Sequence, residues 1–436
     1  MHAPYTGVRF MMRPNGRAFK DERVTIMAFG LTKKELSWVL YDVGNSAFVM
    51  LSTALIPVYF ASIADPGSSV VVAWGYAETV ASLVLALLMP VLGSLADLAG
   101  NKKKFLVGFA GTGAVACAAL GIPEHALAFL VVYVIAAIML NGSMVFYDAF
   151  LVDATTEERY DKVSSHGYAW GYIGSCIPFI ACLAVVLGGS SFGIDAKLGM
   201  KIAFIITAVW WVIFTVPVAK NVKQLHGKKR SDHVLRTTIS GLKGTVKSIM
   251  KDKRLLFFML AFFFYIDGVH TVIKMSTSYG TDLGIDSTQL VLALLVTQFV
   301  AFPSAIAYGN LAKRFGTKRM LKVGVLAYFF IVLFAAFFLK SAVEFWILAI
   351  CVGLFQGGIQ ALSRSEYGKL IPKERANEYY GFFDIFGKYA AVMGTFLVSA
   401  FTQLTGSSSL GVLSIALLFI VGFLFLRAMP PMLGDS

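Results

Sequence analysis

Asp267, His270 and Lys274 fall at i, i+3 and i+7 inside an apolar run, FFYIDGVHTVIKM, so they share one stripe of a helix. Ionisable groups in oily surroundings are costly and turn toward a protein interior or a wet cavity. The stripe is therefore expected to face a bundle centre. With this helix starting near Leu255 and rising 1.5 Å per residue, Asp267 lies about 18 Å in, near mid-membrane. A histidine flanked by a buried acid and a base is a proton-relay candidate; a purely structural network is the competing reading. These three are the candidate coupling residues.

Other polar side chains recur on single helical faces. Asp42 and Asn45 in YDVGNSAF are three apart, Asn141 and Asp148 in NGSMVFYDAFLVD are seven apart, and Tyr168 and Tyr172 are four apart. Gln356, Gln360 and Arg364 step along a later run at i, i+4 and i+8, and Asp384 and Lys388 are an i, i+4 pair. A solute-lining reading takes Asp42, Asn45, Asn141, Tyr168, Tyr172, Gln356 and Gln360 as binding residues facing an aqueous cleft. Each also has a plainer reading. Asp42 caps or pairs near a wet end, the tyrosines form an interfacial belt, and the glutamines bond between helices. Asp384 and Lys388 neutralise each other or serve with Asp148 in a gate. Glu78 reads equally as a gate residue or a solvated helix end, and Asn141-Gly-Ser, a glycosylation acceptor by pattern, lies inside an apolar run.

The elements that must hold these residues are membrane helices. Of 436 residues 57% are hydrophobic and only 14% charged, and apolar runs of roughly 20 residues recur along the chain. Twelve are counted, near 36–62, 70–96, 105–122, 124–152, 164–188, 198–219, 255–279, 287–311, 320–339, 343–368, 379–404 and 408–428. They divide into a basic N-terminal segment (1–35), a six-helix bundle (36–219), a basic linker (220–254), a second six-helix bundle (255–428) and a tail (429–436). The expected fold class is an all-α membrane protein with two pseudo-symmetric six-helix bundles. Residues 1–35 contain no apolar stretch long enough for a secretory signal, so the first span does the targeting.

Lys102–Lys104, Arg159, Lys162, the linker, Lys313–Lys322 and Arg364–Arg375 all fall on one side, which by the positive-inside bias places both termini in the cytoplasm. The net charge of +13 thus has a topological reading, and no soluble basic domain supports nucleic-acid binding. The linker carries eleven Lys or Arg against Asp232 and Asp252. It is expected to lie on an anionic leaflet, with an amphipathic helix around Leu235 to Met250. It is a connector first, and a regulatory segment in the alternative.

The two bundles read as one unit written twice. Gly93 to Lys103 (GSLADLAGNKK) returns 216 residues later as Gly309 to Arg319 (GNLAKRFGTKR), and TTEERYD returns as IPKERAN, with Arg159 and Arg375 again 216 apart. The glycines suit a tight turn with positive φ, and parallel repeats joined by a long linker describe a transporter architecture. Gly93, Asp97, Gly100, Lys102 and Lys103, together with Asp148, Asp384 and Lys388, are the candidate gate residues.

Several chemistries are excluded. No Walker-type phosphate loop, HExxH or GxSxG string is present, so neither an ATP-driven pump nor an enzyme is expected. Cys117, Cys176, Cys182 and Cys351 all lie in apolar runs and read as packing residues rather than a disulfide framework or metal site. No cofactor and no metal is called for. The expected partners are the bilayer, a small solute and protons, with the chain acting as a monomer.

The GxxxDxxGxKK form at Gly93, Asp97, Gly100, Lys102 and Lys103 resembles the signature between helices 2 and 3 of the major facilitator superfamily. There the loop contributes to a charge relay that locks the outward-open state on the cytoplasmic side. The second copy has Lys313 where the acid would be, which puts a second lock in question. YDVGNSAF, FYIDGVHTVIKM, ALSRSEYGKLIP and YYGFFDIFGKYA resemble the vacuole-effluxer-like branch of that superfamily, which includes bacterial members and the fungal autophagy-related amino-acid effluxer. This resemblance covers residues 36–428 and implies alternating-access transport of amino acids or short peptides; the short loops fit a bacterial cytoplasmic membrane. An exporter of amphipathic compounds or lipids is the alternative within transporters, and a non-transporting receptor or scaffold is the alternative outside them.

Overall fold

The computed structural model describes residues 28–64, 70–228 and 234–430. The first half runs α1 (Lys33–Ala54), α2 (Ile56–Ile63), α3 (Val70–Ala96), α4 (Lys102–Ala119), α5 (Ala126–Ala149), α6 (Leu151–Ala154), α7 (Tyr160–Gly188) and α8 (Ala196–Asn221). The linker contains α9 (Val234–Lys251). The second half runs α10 (Lys253–Asp282), α11 (Ser287–Phe315), α12 (Thr317–Phe338), α13 (Ala342–Leu370), α14 (Ala376–Thr405), α15 (Ser408–Ser414) and α16 (Ala416–Ala428).

Among the described residues nine helices are long and apolar enough, by length and composition, to cross a membrane. Helices α1, α4 and α14 complete twelve crossings. The first two are less apolar than the others because they carry polar groups, Asp42 and Asn45 in α1 and Lys102 to Lys104 in α4. Two expected spans are interrupted. Pro57 lacks an N–H and sits in the first turn of α2, so the first crossing restarts at Ile56. The last crossing breaks between α15 and α16.

Local signals explain the helix ends. Thr32 and Glu35 form a capping box ahead of α1, and Ser341 and Glu344 do the same for α13. The repeated turn is real: Gly100 and Gly316, 216 apart, have φ of 84° and 87°, a region that only glycine enters freely. Close helix contacts depend on missing Cβ atoms. A Cβ on Gly358 would lie 2.2 Å from Cγ of Tyr308, and one on Gly113 would lie 2.5 Å from the Trp211 ring. The halves repeat their internal contacts as well. Tyr41 donates to Ser143 across α1 and α5 at 2.6 Å, and Tyr265 and Ser363 bond across α10 and α13 at 2.7 Å.

The halves meet through α3 against α14, α7 against α11 and α13, and α5 against α14. We call the end carrying the Lys/Arg-rich loops the basic face. Helix α9 lies across it with Thr245 and Ile249 buried, packed on α3 of one half and α10 of the other.

Candidate functional site

A polar contact between the halves centres on Arg364 of α13. Its Nη1 donates to Asp148 Oδ1 at 2.9 Å and lies 3.9 Å from Asp42 Oδ2. Its Nε donates to Ser164 Oγ and its Nη2 to the Ser164 carbonyl, both at 2.9 Å. The guanidinium carbon sits 4.7, 5.2 and 4.3 Å from the ring centroids of Trp38, Tyr147 and Tyr168, a cation–π environment on three sides. Only 1% of Arg364 is exposed. Gly167 makes room for this packing, since a Cβ there would come within 2.9 Å of the guanidinium. Asp148 and Arg364 are 216 residues apart, the spacing of the repeat. Repeat-equivalent residues touch each other only at the axis that relates the halves, so this pair marks the pseudo-dyad.

Away from the basic face, α13 presents Gln360 and Gln356 about 6 and 12 Å beyond Arg364. Tyr172 of the first half donates to Gln360 Oε1 at 3.1 Å, and its ring lies 6.2 Å from that of Tyr168. Gln356 helps line a cavity of about 60 Å³ between α10, α11 and α13, together with Ser276, Thr297 and Gln298. Gln298 contacts Met50 Sδ of α1 at 3.5 Å, and its amide oxygen is buried with no partner. Tyr168 and Tyr172 therefore lie between the halves, not in an interfacial belt.

Two clasps close the basic face. Asp97, just past α3, accepts from the Asn377 N–H at 2.9 Å, Asn377 Nδ2 at 2.8 Å and the Glu378 N–H at 3.1 Å. It thereby caps the start of α14 in the other half. Gly93 permits the approach, because its Cβ would be 2.6 Å from the Asn377 carbonyl. Burial pushes the Asp97 carboxyl up to about 6, against the pull of Lys102 and the Asn377 bonds. At the repeat-related position the acid has changed sides. Asp161, at the start of α7, accepts from Ser365 Oγ at 2.5 Å, Thr317 Oγ1 at 2.7 Å and Lys369 Nζ at 2.8 Å. A Cβ on Gly309 would meet Ser165 and the Asp161 carbonyl, just as Gly93 meets Asn377. The second contact thus exists without an acid at 313. Lys228 of the linker adds a pair to Glu378 at 2.7 Å, and Thr245 of α9 bonds both Glu378 and Arg375.

Several residues singled out in the sequence lie elsewhere. Lys102 is buried against Asp153 at 2.6 Å, and Lys103 donates to the Ala219 carbonyl at 2.7 Å. Both bind within the first half, so of the basic motif only Asp97 bridges. Asn45 and Asn141 donate to the carbonyls of Tyr41 and Ala137, one turn back on their own helices. Asp267 turns into the seam between α10 and α14, accepting from the Gly394 N–H at 2.9 Å and Thr271 Oγ1 at 3.2 Å. His270 is half-buried and Lys274 exposed. Burial thus falls along the stripe from Asp267 to Lys274. Asp384 is partly buried, within electrostatic reach of Asp148 and Tyr168. The Lys388 side chain lies outside the described residues.

Arg364, Ser164, Trp38, Asp161, Lys369 and Glu378 belong to the site without carrying a binding or gate assignment from residue type and spacing. The offset of 216 would have flagged several of them: 148 and 364, 153 and 369, and 162 and 378 each pair an acid with a base.

Comparison with known proteins agrees with this architecture. The chain matches the family described as vacuole effluxer Atg22 like over residues 67–153 and 152–432. It is 46% identical over 408 residues to the uncharacterized MFS-type transporter YxiO of Bacillus subtilis, covering 92% of this chain and 95% of that one. Autophagy-related protein 22 of Cryptococcus neoformans is 26% identical over 283 residues, which span 60% of this chain and about half (48%) of the fungal protein. Among solved structures, the major facilitator transporter FucP in its outward conformation superposes with a TM-score of 0.70 at 14% identity, over 92% of this chain and 99% of that one. The proton:xylose symporter XylE superposes with a TM-score of 0.68 at 10% identity, over 91% and 94%. The fold is therefore the major facilitator fold of a multi-pass membrane protein, and the chain belongs to the vacuole effluxer Atg22-like family of MFS-type transporters.

Proposed function

We propose that the protein is a secondary active transporter that moves a small polar solute, an amino acid or short peptide, by alternating access, with the basic face in the cytoplasm and that side closed in this structure. The observation that carries this reading is the pairing of Asp148 with Arg364 on the pseudo-dyad, flanked by the clasps at Asp97 and Asp161. Two similar halves held together by polar contacts at one end part there without disturbing the packing inside either half. Tyr172, Gln360, Gln356 and Gln298 supply hydrogen-bonding groups beyond that closure, where a solute entering from the opposite face would meet them.

The driving gradient is protonic in this reading, with Asp267 the coupling acid: its Oδ2 is buried with no partner, and a change there acts on the seam between α10 and α14. Solute-driven acidification in proteoliposomes, wild type against Asp267→Asn, is the test. Coupled solute and proton flux that separates in the variant supports the reading. Flux of both kinds unchanged removes Asp267 from the mechanism, and no flux of any amino acid or peptide in the wild type removes the assigned solute class.

A further inference from the structure

Every group that holds the Arg364 guanidinium comes from the opposite half. Trp38 and Asp42 are on α1, Tyr147 and Asp148 on α5, and Ser164 and Tyr168 on α7, whereas Arg364 is on α13. The first half therefore presents a complete receptor for an organic cation: three aromatic rings, two carboxylates, a hydroxyl and a carbonyl. The second half fills that receptor with its own side chain. Two carboxylates face this single guanidinium, and Asp384 is a further acid near Asp148.

We infer that this cage is a solute subsite for a guanidinium or primary ammonium group, and that Arg364 is its built-in competitor. The inference rests on the alternating-access reading and names the solute class within it. When the halves part at the basic face, Arg364 leaves with α13, and two carboxylates under three rings are left facing the opened cleft. A cationic solute head arriving from that side replaces the guanidinium contact for contact. When the halves close again, Arg364 re-enters and expels it. Side chain and solute thus occupy one site in alternation, which ties solute occupancy to opening. Solutes without a cationic head lack the means to displace Arg364.

The test is chemical replacement of the missing side chain in the full-length protein in lipid nanodiscs. Arg364→Ala empties the cage, and the probe is guanidinium at millimolar concentration, with urea as its uncharged isostere and sodium chloride as the salt control. Guanidinium is expected to raise the thermal unfolding temperature of Arg364→Ala and to bind at least about tenfold more tightly than urea. That preference is expected to vanish in the Arg364→Ala, Asp148→Asn double variant. Should Arg364→Ala fail to fold, recovery of folded protein by guanidinium and not by urea during expression supports the cage, and equal recovery or none overturns it. In folded variant, equal effects of guanidinium and urea, or a guanidinium effect that survives Asp148→Asn, also overturn it. Because the readout is binding and not flux, its failure is separable from failure of the transport reading, which a lack of solute movement by the wild type would show.

Discussion

Asp97 joins the halves from outside the spanning helices, so acidity should act on closure through it. Burial is the largest influence on this carboxyl and outweighs the charge of Lys102 and the bonds from Asn377, moving it from its ordinary 3.8 to about 6. Once the halves part, the side chain is hydrated and returns to its ordinary range. A carboxyl that holds its proton more tightly in the clasped state favours clasping. Its contribution is fully present below about pH 4 and is lost as the pH rises through about 6. The interval corresponds to ~3 kcal/mol, a factor on the order of 100 in the ratio of closed to open. Acidification should therefore tighten the basic face, although the carboxylate would form the stronger hydrogen bonds if burial were ignored.

Spin labels at Lys104→Cys and Glu374→Cys, exposed positions on opposite halves, report the separation directly. Between about pH 7.5 and 4.5 the open population is expected to fall at least tenfold in the wild type. Asp97→Asn cannot ionise, and should give a distance distribution that no longer shifts over this range. Opening on acidification, or an Asp97→Asn protein with the wild-type response, would refute the reasoning.

The second clasp should behave as a coupled pair. Asp161→Ala deprives Lys369, Thr317 and Ser365 of their acceptor and should weaken closure by ~2–3 kcal/mol, the low end for breaking a buried ion pair because both groups are partly exposed. A double-mutant cycle with Lys369→Met should return at least ~1 kcal/mol of coupling; strict additivity would show that the pair does not hold the halves. Gly358→Ala forces a methyl into the Tyr308 ring and should lower stability by ~1–3 kcal/mol or more, whereas Gly108→Ala, with nothing within 4 Å of the new Cβ, should leave thermal unfolding unchanged. Tyr172→Phe removes the hydroxyl that bonds Gln360, and that also lies in hydrogen-bonding reach of Gln356. It should raise KM for the transported solute several-fold, on the order of 1 kcal/mol, with the unfolding temperature unaltered; an altered unfolding temperature at constant KM would make Tyr172 a packing residue instead.

The fold was legible because a bilayer leaves few options for the backbone: long apolar runs must be helices, and the GSLADLAGNKK echo fixed how they group. Polar residues dilute some crossings, as Asp42 and Asn45 do in α1, yet the apolar runs still marked all twelve spans. Asp97 was singled out in the sequence and bridges the halves, but its partners were not visible. Two of its three donors are backbone N–H groups at the start of α14, which leave no mark in the residue types. Lys102 and Lys103 share its motif yet bind inward, since the motif records a turn and a charge without saying which half answers it. Asp267, His270 and Lys274 were correctly placed on one stripe; how far a neighbouring helix covers that stripe is a tertiary property.

Arg364 and Asp148 show why the halves are complements and not copies. At a pseudo-dyad, a residue and its repeat equivalent occupy the same small volume. Had both positions kept the same ionised residue, two like charges about 4 Å apart would repel by about 4 kcal/mol at an effective dielectric of 20. An acid at 148 and a base at 364 turn that repulsion into an attraction across the axis. The same exchange places Asp161 opposite Lys369, while Asp153, the repeat equivalent of Lys369, stays inside its own half with Lys102. Lys313 therefore marks no missing lock. Its clasp is carried by an acid on the facing helix, so the first half contributes both clasp acids, Asp97 and Asp161, and the second half satisfies them. Closure built this way is specific to the pairing of unlike halves, and it depends on each half presenting groups that it cannot satisfy alone.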